Sequence, residues 1–360
     1  MLNQLRPSAC WPIVLLALIA GLPVRAVILF GTDDPERNTT PPGGELAGSG
    51  WQWQTFAGTC ATAVGPHHAV TAHHLGLRSG SVLSFGGLTY PVLAATNAPN
   101  SDFELVELAG SLSAFAPLCE ETNEVGRPLL VFGRGTRRGD PVLAPDGSGQ
   151  LRGWHWAAMD GRLRWGTNVV TDTDTGTADN GFSGDVLVGI FGPDAGADTG
   201  TLSTGDSGGG VFVRDDAGQW RLAAVNYAVE SGFNTTTNGP GFTATLFDRT
   251  GFYEQDNHGV WMLDEQQASH PETVFIATRV SSYAAWAQTL MSLPVTGRPL
   301  LLSAATADGP YTEYPAYIVD ATKHLITLFV PSGNRFFRLE GATSLGLPKR
   351  LGNQLTLTYE

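Results

Sequence analysis

Charge is scarce in this chain. Of its 360 residues only 15% are Asp, Glu, Lys or Arg, which excludes an architecture of long solvated helices. Basic residues are scarcer still, 21 against 34 acidic ones, for a formal net charge of −13. Such a surface repels nucleic acid and anionic lipid, so a general DNA- or RNA-binding role is excluded. Cysteine is nearly absent. With three in the whole chain the protein is no disulfide-dense scaffold, and a structural zinc site has too few thiolates. Beyond the first 25 or so residues no long apolar run occurs, so no integral membrane enzyme is expected. Glycine, by contrast, is abundant: 45 residues in 360, where about 7% is usual. The apolar fraction of 42% is too high for a disordered chain. A turn-rich, globular protein of one large domain and one small one fits these proportions.

The N-terminus reads as an address. Arg6 precedes the apolar stretch WPIVLLALIAGLPV at 11–24, and Val24-Arg25-Ala26 supplies small residues at the −3 and −1 positions of a cut after Ala26. That is the layout of a secretory signal peptide over 1–26. The stretch is shorter than the roughly 20 residues of a spanning helix, and Pro12 and Pro23 interrupt it. An uncleaved anchor is the competing reading; the favoured one is a secreted or periplasmic protein. Of the remaining cysteines, Cys60 and Cys119 could pair in an oxidising compartment or stand as two buried thiols.

Short strand-like runs dominate the mature chain: 69–72, 81–85, 103–108, 128–132, 211–213 and 222–227, separated by Gly, Pro, Asn and Asp clusters. One segment, 280–291, carries apolar residues at helical spacing. After a Pro/Gly-containing linker at 293–299, further runs at 300–304, 314–319, 325–330, 335–339 and 355–359 suggest a small accessory β-domain over 298–360. Its expected role is attachment to a surface or glycan, or stability.

Chemistry concentrates at three places. Gly205-Asp206-Ser207-Gly208-Gly209-Gly210 precedes an apolar run. A hydroxyl nucleophile needs such a tight turn, where backbone N–H groups of Gly205 and Ser207 can face a developing oxyanion. Val70-Thr71-Ala72-His73-His74 sets two imidazoles at the end of a strand-like run, one of them a candidate general base. Ser101-Asp102-Phe103-Glu104-Leu105 sets an aspartate at the mouth of another, where it could fix an imidazole tautomer.

Together, in the order His, Asp, Ser, these motifs resemble the chymotrypsin/trypsin-like serine proteases. The resemblance implies catalytic His74, Asp102 and Ser207, with His73 on the alanine that precedes the family's histidine. Further likeness lies in Gly126 to Thr136, with Arg134 where an aromatic is common, and in Leu222 to Ala228, which resembles the strand that pairs with substrate. Residues 277–286 are similar to the terminal-helix motif. By the same resemblance Thr201, six residues before Ser207, is the floor of the specificity pocket, with Asn226, Tyr227 and Ala228 lining the substrate. Asp194, Asp198 or Glu230 could bring a charge into that pocket. Leu75 replaces a disulfide cysteine of vertebrate members and Gly210 the usual proline; neither removes a catalytic group. No basic-residue cleavage site precedes an Ile-Val-Gly-Gly sequence, which counts against zymogen activation by that route.

The expected fold is therefore all-β: two packed six-stranded antiparallel barrels with a C-terminal helix over 27–292, plus a small sandwich-like domain. The expected activity is serine endopeptidase action on proteins and peptides, with no cofactor. A non-catalytic binding or adhesion module on the same fold, and an esterase with the same triad, are the alternatives. The acidic run Asp172-Thr-Asp174 with Asp179 and Asn180 has some flavour of a calcium loop but lacks its spacing. Trp154 and Trp156 could pack or stack on a sugar.

Overall fold

The computed structural model describes residues 27–177, 183–192, 196–256, 258–263, 267, 269–294, 298–333 and 335–360. The proposed signal peptide, Asp179, Asn180, Asp194 and Asn334 lie outside them. The chain is almost wholly antiparallel β, and its one described α-helix is Ala284–Met291. No described helix is long and apolar enough to cross a membrane.

Residue alternation explains how the first half is built. In strand Phe103–Leu108 successive side chains point to opposite faces. Phe103 and Leu105 join one buried cluster, Val106 and Leu108 another. A strand apolar on both faces must lie inside, and it does. The sheet order is Thr62–Gly65, His68–Ala72, Phe103–Leu108, Leu88–Asn97, Val82–Phe85. The second body repeats the device. Pro128–Gly133 sends Leu130 and Phe132 to the first cluster and Leu129 and Val131 to a third. It lies in a seven-stranded sheet ordered Arg164–Val169, Pro128–Gly133, Gly210–Arg214, Trp220–Val229, Val274–Arg279, Ser183–Ile190, Asp172–Thr177. The shared cluster holds Val70, Phe103 and Leu105 from the first sheet, Phe132, Phe212 and Val225 from the second, and Ala284 and Ala287 from the helix. That core fixes one body against the other.

The all-β expectation with a terminal helix holds. Five strands are bonded in the first sheet and seven in the second. Excursions from the second body add a six-stranded sheet that includes Thr136–Leu143, Leu151–Met159 and Phe242–Leu246. The acidic run Asp172–Thr177 is a strand. Trp154 packs among Phe30, Phe191 and Phe247, with the Arg138 guanidinium over its ring. Residues 298–360 form two small sheets on one core of Leu301, Tyr317, Ile326, Leu328 and Leu357. One of those sheets crosses to the main body: Tyr317 pairs with Ser111 and Ile318 with Gly110. An ion pair from Glu313 to His67 (3.2 Å) sits beside this junction.

Candidate active site

Ladder register brings the first two candidate residues together. Ala72 pairs with Phe103 as the last step of the His68–Ala72 and Phe103–Leu108 ladder. The residue before Phe103 and those after Ala72 must then meet at the same sheet edge. There the chain turns into the short 3-10 segment His73–Leu75. The His73 amide donates to the Asp102 carbonyl (2.7 Å). Asp102 is buried, and both of its carboxylate oxygens are occupied by His74. One accepts from the His74 amide (2.8 Å) and the other lies 2.7 Å from His74 Nδ1. A carboxylate held in this way keeps the proton on Nδ1 and leaves Nε2 as the basic nitrogen.

His73 takes a different partner. Its Nδ1 lies 2.9 Å from Glu104 Oε1, because Glu104 pairs with Thr71 one step down the ladder. Burial pushes the Glu104 carboxyl up, an effect the His73 hydrogen bond opposes. Its second oxygen is buried with no hydrogen-bond partner among the described residues. Sequence reasoning passed over Glu104; of the two carboxylates in the strand, Glu104 and Glu107, it is the buried one.

The third candidate sits on a turn fixed from three sides. Gly205 and Gly208 have φ of +98° and +83°, a region that glycine occupies without strain. A Cβ on Gly205 would lie 2.6 Å from Met159 Sδ. Asn226 donates to the Phe132 carbonyl (2.7 Å) and the Asp206 carbonyl (3.0 Å), while its backbone bonds Gly208 and Gly209. Asp206, fully buried, accepts from the Gly135 amide (2.6 Å), the Ser203 amide (2.8 Å) and the Ser203 hydroxyl (3.0 Å). The Val27 amide also donates to it. Burial nevertheless pushes the Asp206 carboxyl up to about 6. The far side of the turn abuts the histidine segment: a Cβ on Gly208 would collide with Thr71, the Cys60 carbonyl and Leu75. Ser207, the residue before Gly208, is half-buried, and the Tyr227 ring stands 6.1 Å from the His74 ring.

Ser207, Gly205, Tyr227 and Ala228 share a cavity of about 220 Å³. Trp156 and Val229 form its apolar wall, and Trp156 also donates to Thr245 (2.8 Å). The sequence offers Trp156 only as a packing or sugar-stacking residue and carries no signal for Val229. Two substrate-binding candidates lie elsewhere. Thr201 is fully buried and pairs with Ile28; it does not line this cavity. Asn226 is fully buried and clamps the turn. Of the acids considered for the pocket, Asp198 pairs with Arg37 (2.8 Å) and Glu230 accepts from the Val274 amide (2.9 Å). Cys60 and Cys119 are free buried thiols, pushed by burial to about 12 and about 11.

No protein-family profile matches the chain, and no curated protein matches it significantly. Among solved structures, the passenger domain of plasmid-encoded toxin, an autotransporter enterotoxin of enteroaggregative Escherichia coli, aligns at 14% identity and TM-score 0.38. The alignment covers 66% of this chain and 22% of that much longer one. The Rv3671c protease of M. tuberculosis H37Rv, in an inactive form, aligns at 12% identity and TM-score 0.40 over 73% of this chain and 97% of that one. Scores of this size leave any functional reading resting on the chain's own geometry.

Proposed function

We propose that the protein is an exported serine hydrolase that cleaves peptide bonds as an endopeptidase. The observation that carries the reading is the His74–Asp102 pair, with both carboxylate oxygens committed to one histidine, together with a serine on a glycine-rich turn that packs at Gly208 against Thr71 and Leu75. His74 Nε2 takes the proton of Ser207 Oγ as that oxygen attacks the substrate carbonyl. The Gly205 and Ser207 amides stabilise the oxyanion. His74 then returns the proton to the leaving amine, and water hydrolyses the acyl-enzyme by the same steps reversed. Asp102 orients His74 and stabilises its cation. The acyl-side residue enters the cavity walled by Trp156, Tyr227, Ala228 and Val229. No step requires a cofactor.

Labelling with a fluorophosphonate, followed by peptide mapping, tests this directly. The probe should modify Ser207 in the native protein and nothing in Ser207→Ala. A native protein that resists the probe and leaves casein intact contradicts the reading. Cleavage of short-chain esters without peptides would make it an esterase.

A further inference from the structure

Arg134 is a buried cation without a counter-charge among the described residues. Only 5% of it is exposed, and among the described residues no carboxylate comes within ion-pair distance of it. Its Nη1 donates to the Gly161 carbonyl (2.6 Å) and its Nη2 to the Thr55 carbonyl. Its Nε is buried and has no hydrogen-bond partner among the described residues. Removing one charge from water without compensation costs several kcal/mol, and burial lowers the affinity of this guanidinium for its proton. A chain under no other demand would place an apolar residue here.

The same side chain lines a cavity of about 490 Å³, within the range of ligand pockets. Trp51, Phe56 and Leu163 give it apolar walls. Its mouth carries Arg162 and Glu36, which are exposed and paired with each other (2.5 Å). Glu36 is therefore committed outside, and the one charge left over is positive. Phe56, 49% exposed, stands at the open side.

The location gives the cavity a role. Gly205 lines the smaller Ser207 cavity, and a Cβ on it would lie 3.4 Å from the Arg134 carbonyl oxygen and 3.1 Å from Gly135 Cα. Arg134, which lines the larger cavity, and Gly205, which lines the smaller, are thus backbone neighbours. If the smaller one takes the acyl side of the substrate, the larger takes the leaving-group side. We infer that the Arg134 cavity binds an acidic side chain located one or two residues after the scissile bond, so that the favoured substrates are acidic on their leaving side. The inference rests on the peptidase reading. A carboxylate there completes the charge balance that the folded chain leaves open, and a charge-assisted hydrogen bond is about twice as strong as a neutral one.

The test uses matched peptides that share one acyl side and carry Asp, Asn or Lys at the two positions after the cleaved bond. Their kcat/KM is measured on the native protein, Arg134→Gln and Phe56→Glu, and their Kd on Ser207→Ala. The native enzyme should prefer Asp to Asn by about tenfold, which is about 1.4 kcal/mol, with Lys last and Kd in the same order. Arg134→Gln should bring the three within about twofold. Phe56→Glu leaves both carbonyl bonds of Arg134 intact, so it separates charge from folding, and by cancelling the one unbalanced charge it should likewise bring Asp and Lys within about twofold. Equal rates for the three on the native enzyme, or a preference that survives both substitutions, overturns the inference while the peptidase reading stands. Selective binding of the Asp peptide to Ser207→Ala, with no hydrolysis by the native protein, overturns the peptidase reading and supports the cavity.

Discussion

Cutting the chain after Ala26 should stabilise the protein through Asp206. In the uncut chain this carboxyl is fully buried, raised from 3.8 to about 6, and reached by the Val27 backbone amide. Once ionised, a carboxyl raised by that much costs about 3 kcal/mol of folding free energy at neutral pH. The cut turns the Val27 amide nitrogen into an ammonium at the same place. The neutral donor becomes a charged partner, and the carboxyl should fall to its ordinary range or below. The sign differs between the two forms. In the uncut form the folded state holds the Asp206 proton more tightly than the unfolded chain, so stability declines as pH rises from about 4 to about 6 and is level above. In the cut form the pair raises the ammonium above its ordinary value of about 8; the stabilisation is complete below that value and fades as pH climbs past the raised one. Near pH 7 the cut form should be more stable by about 3 kcal/mol, on the order of 5 °C in Tm.

The assay compares protein starting at Val27 with the same protein carrying one extra glycine before it. Tm is recorded from pH 5 to 9, together with kcat/KM on a peptide ester. Activity should rise with stability, because Asp206 holds the Gly135 and Ser203 amides that frame the Ser207 turn. Asp206→Asn should erase the difference between the two forms. Superimposable Tm profiles, or a difference that persists in Asp206→Asn, would refute the reasoning.

His74→Ala should lower kcat by several orders of magnitude, and Asp102→Asn by about 10⁴, through loss of the correct tautomer. His73→Ala should act instead on stability, by roughly 1–3 kcal/mol, because it strands the buried Glu104 carboxyl; urea midpoints and kcat on the same preparations separate the two effects, and a dead His73→Ala with an active His74→Ala reverses the assignment. On the acyl side, the apolar walls of Trp156, Ala228 and Val229 should favour Ala, Val or Leu over Arg by at least about 100-fold in kcat/KM, since an unpaired guanidinium there is desolvated; an Arg preference contradicts it. A chain ending at 293 should still cleave a small ester but melt several degrees lower, because it exposes the first-body cluster that Ala316, Ile318 and Phe329 cover; an unchanged Tm contradicts it.

What was legible in the sequence follows from the range over which each feature is decided. The buried strand 103–108 announces itself, since only a strand covered on both faces tolerates Phe, Leu, Val and Leu within six residues. Its ladder partner at His68–Ala72 then carries the adjacent acid and imidazoles to one edge without any distant information. Choosing His74 over His73 needed the resemblance; in the structure the two rings differ in the carboxylate each reaches, Asp102 for His74 and Glu104 for His73. Thr201 shows where counting along the chain stops working. Six residues before Ser207 is a fixed offset in sequence, but Gly200–Thr201 is claimed by Ile28–Leu29 from the far N-terminal end, and no local pattern encodes that pairing.

The accessory region raises the same difficulty in miniature. Gly110–Ser111 is a two-residue strand with no periodicity to detect, yet it completes the sheet containing Tyr317–Asp320, so the linker at 293–299 marks a change in composition rather than a break in hydrogen bonding. Arg134 carries the point furthest. In sequence it is one basic residue where an aromatic is common, and nothing nearby says that it will be buried. Its burial depends on Thr55 and Gly161 bringing their carbonyls to it from two distant loops. The chain keeps a charge at that cost in a protein with only 21 basic residues to place, and such a charge is most economically explained by a ligand that neutralises it.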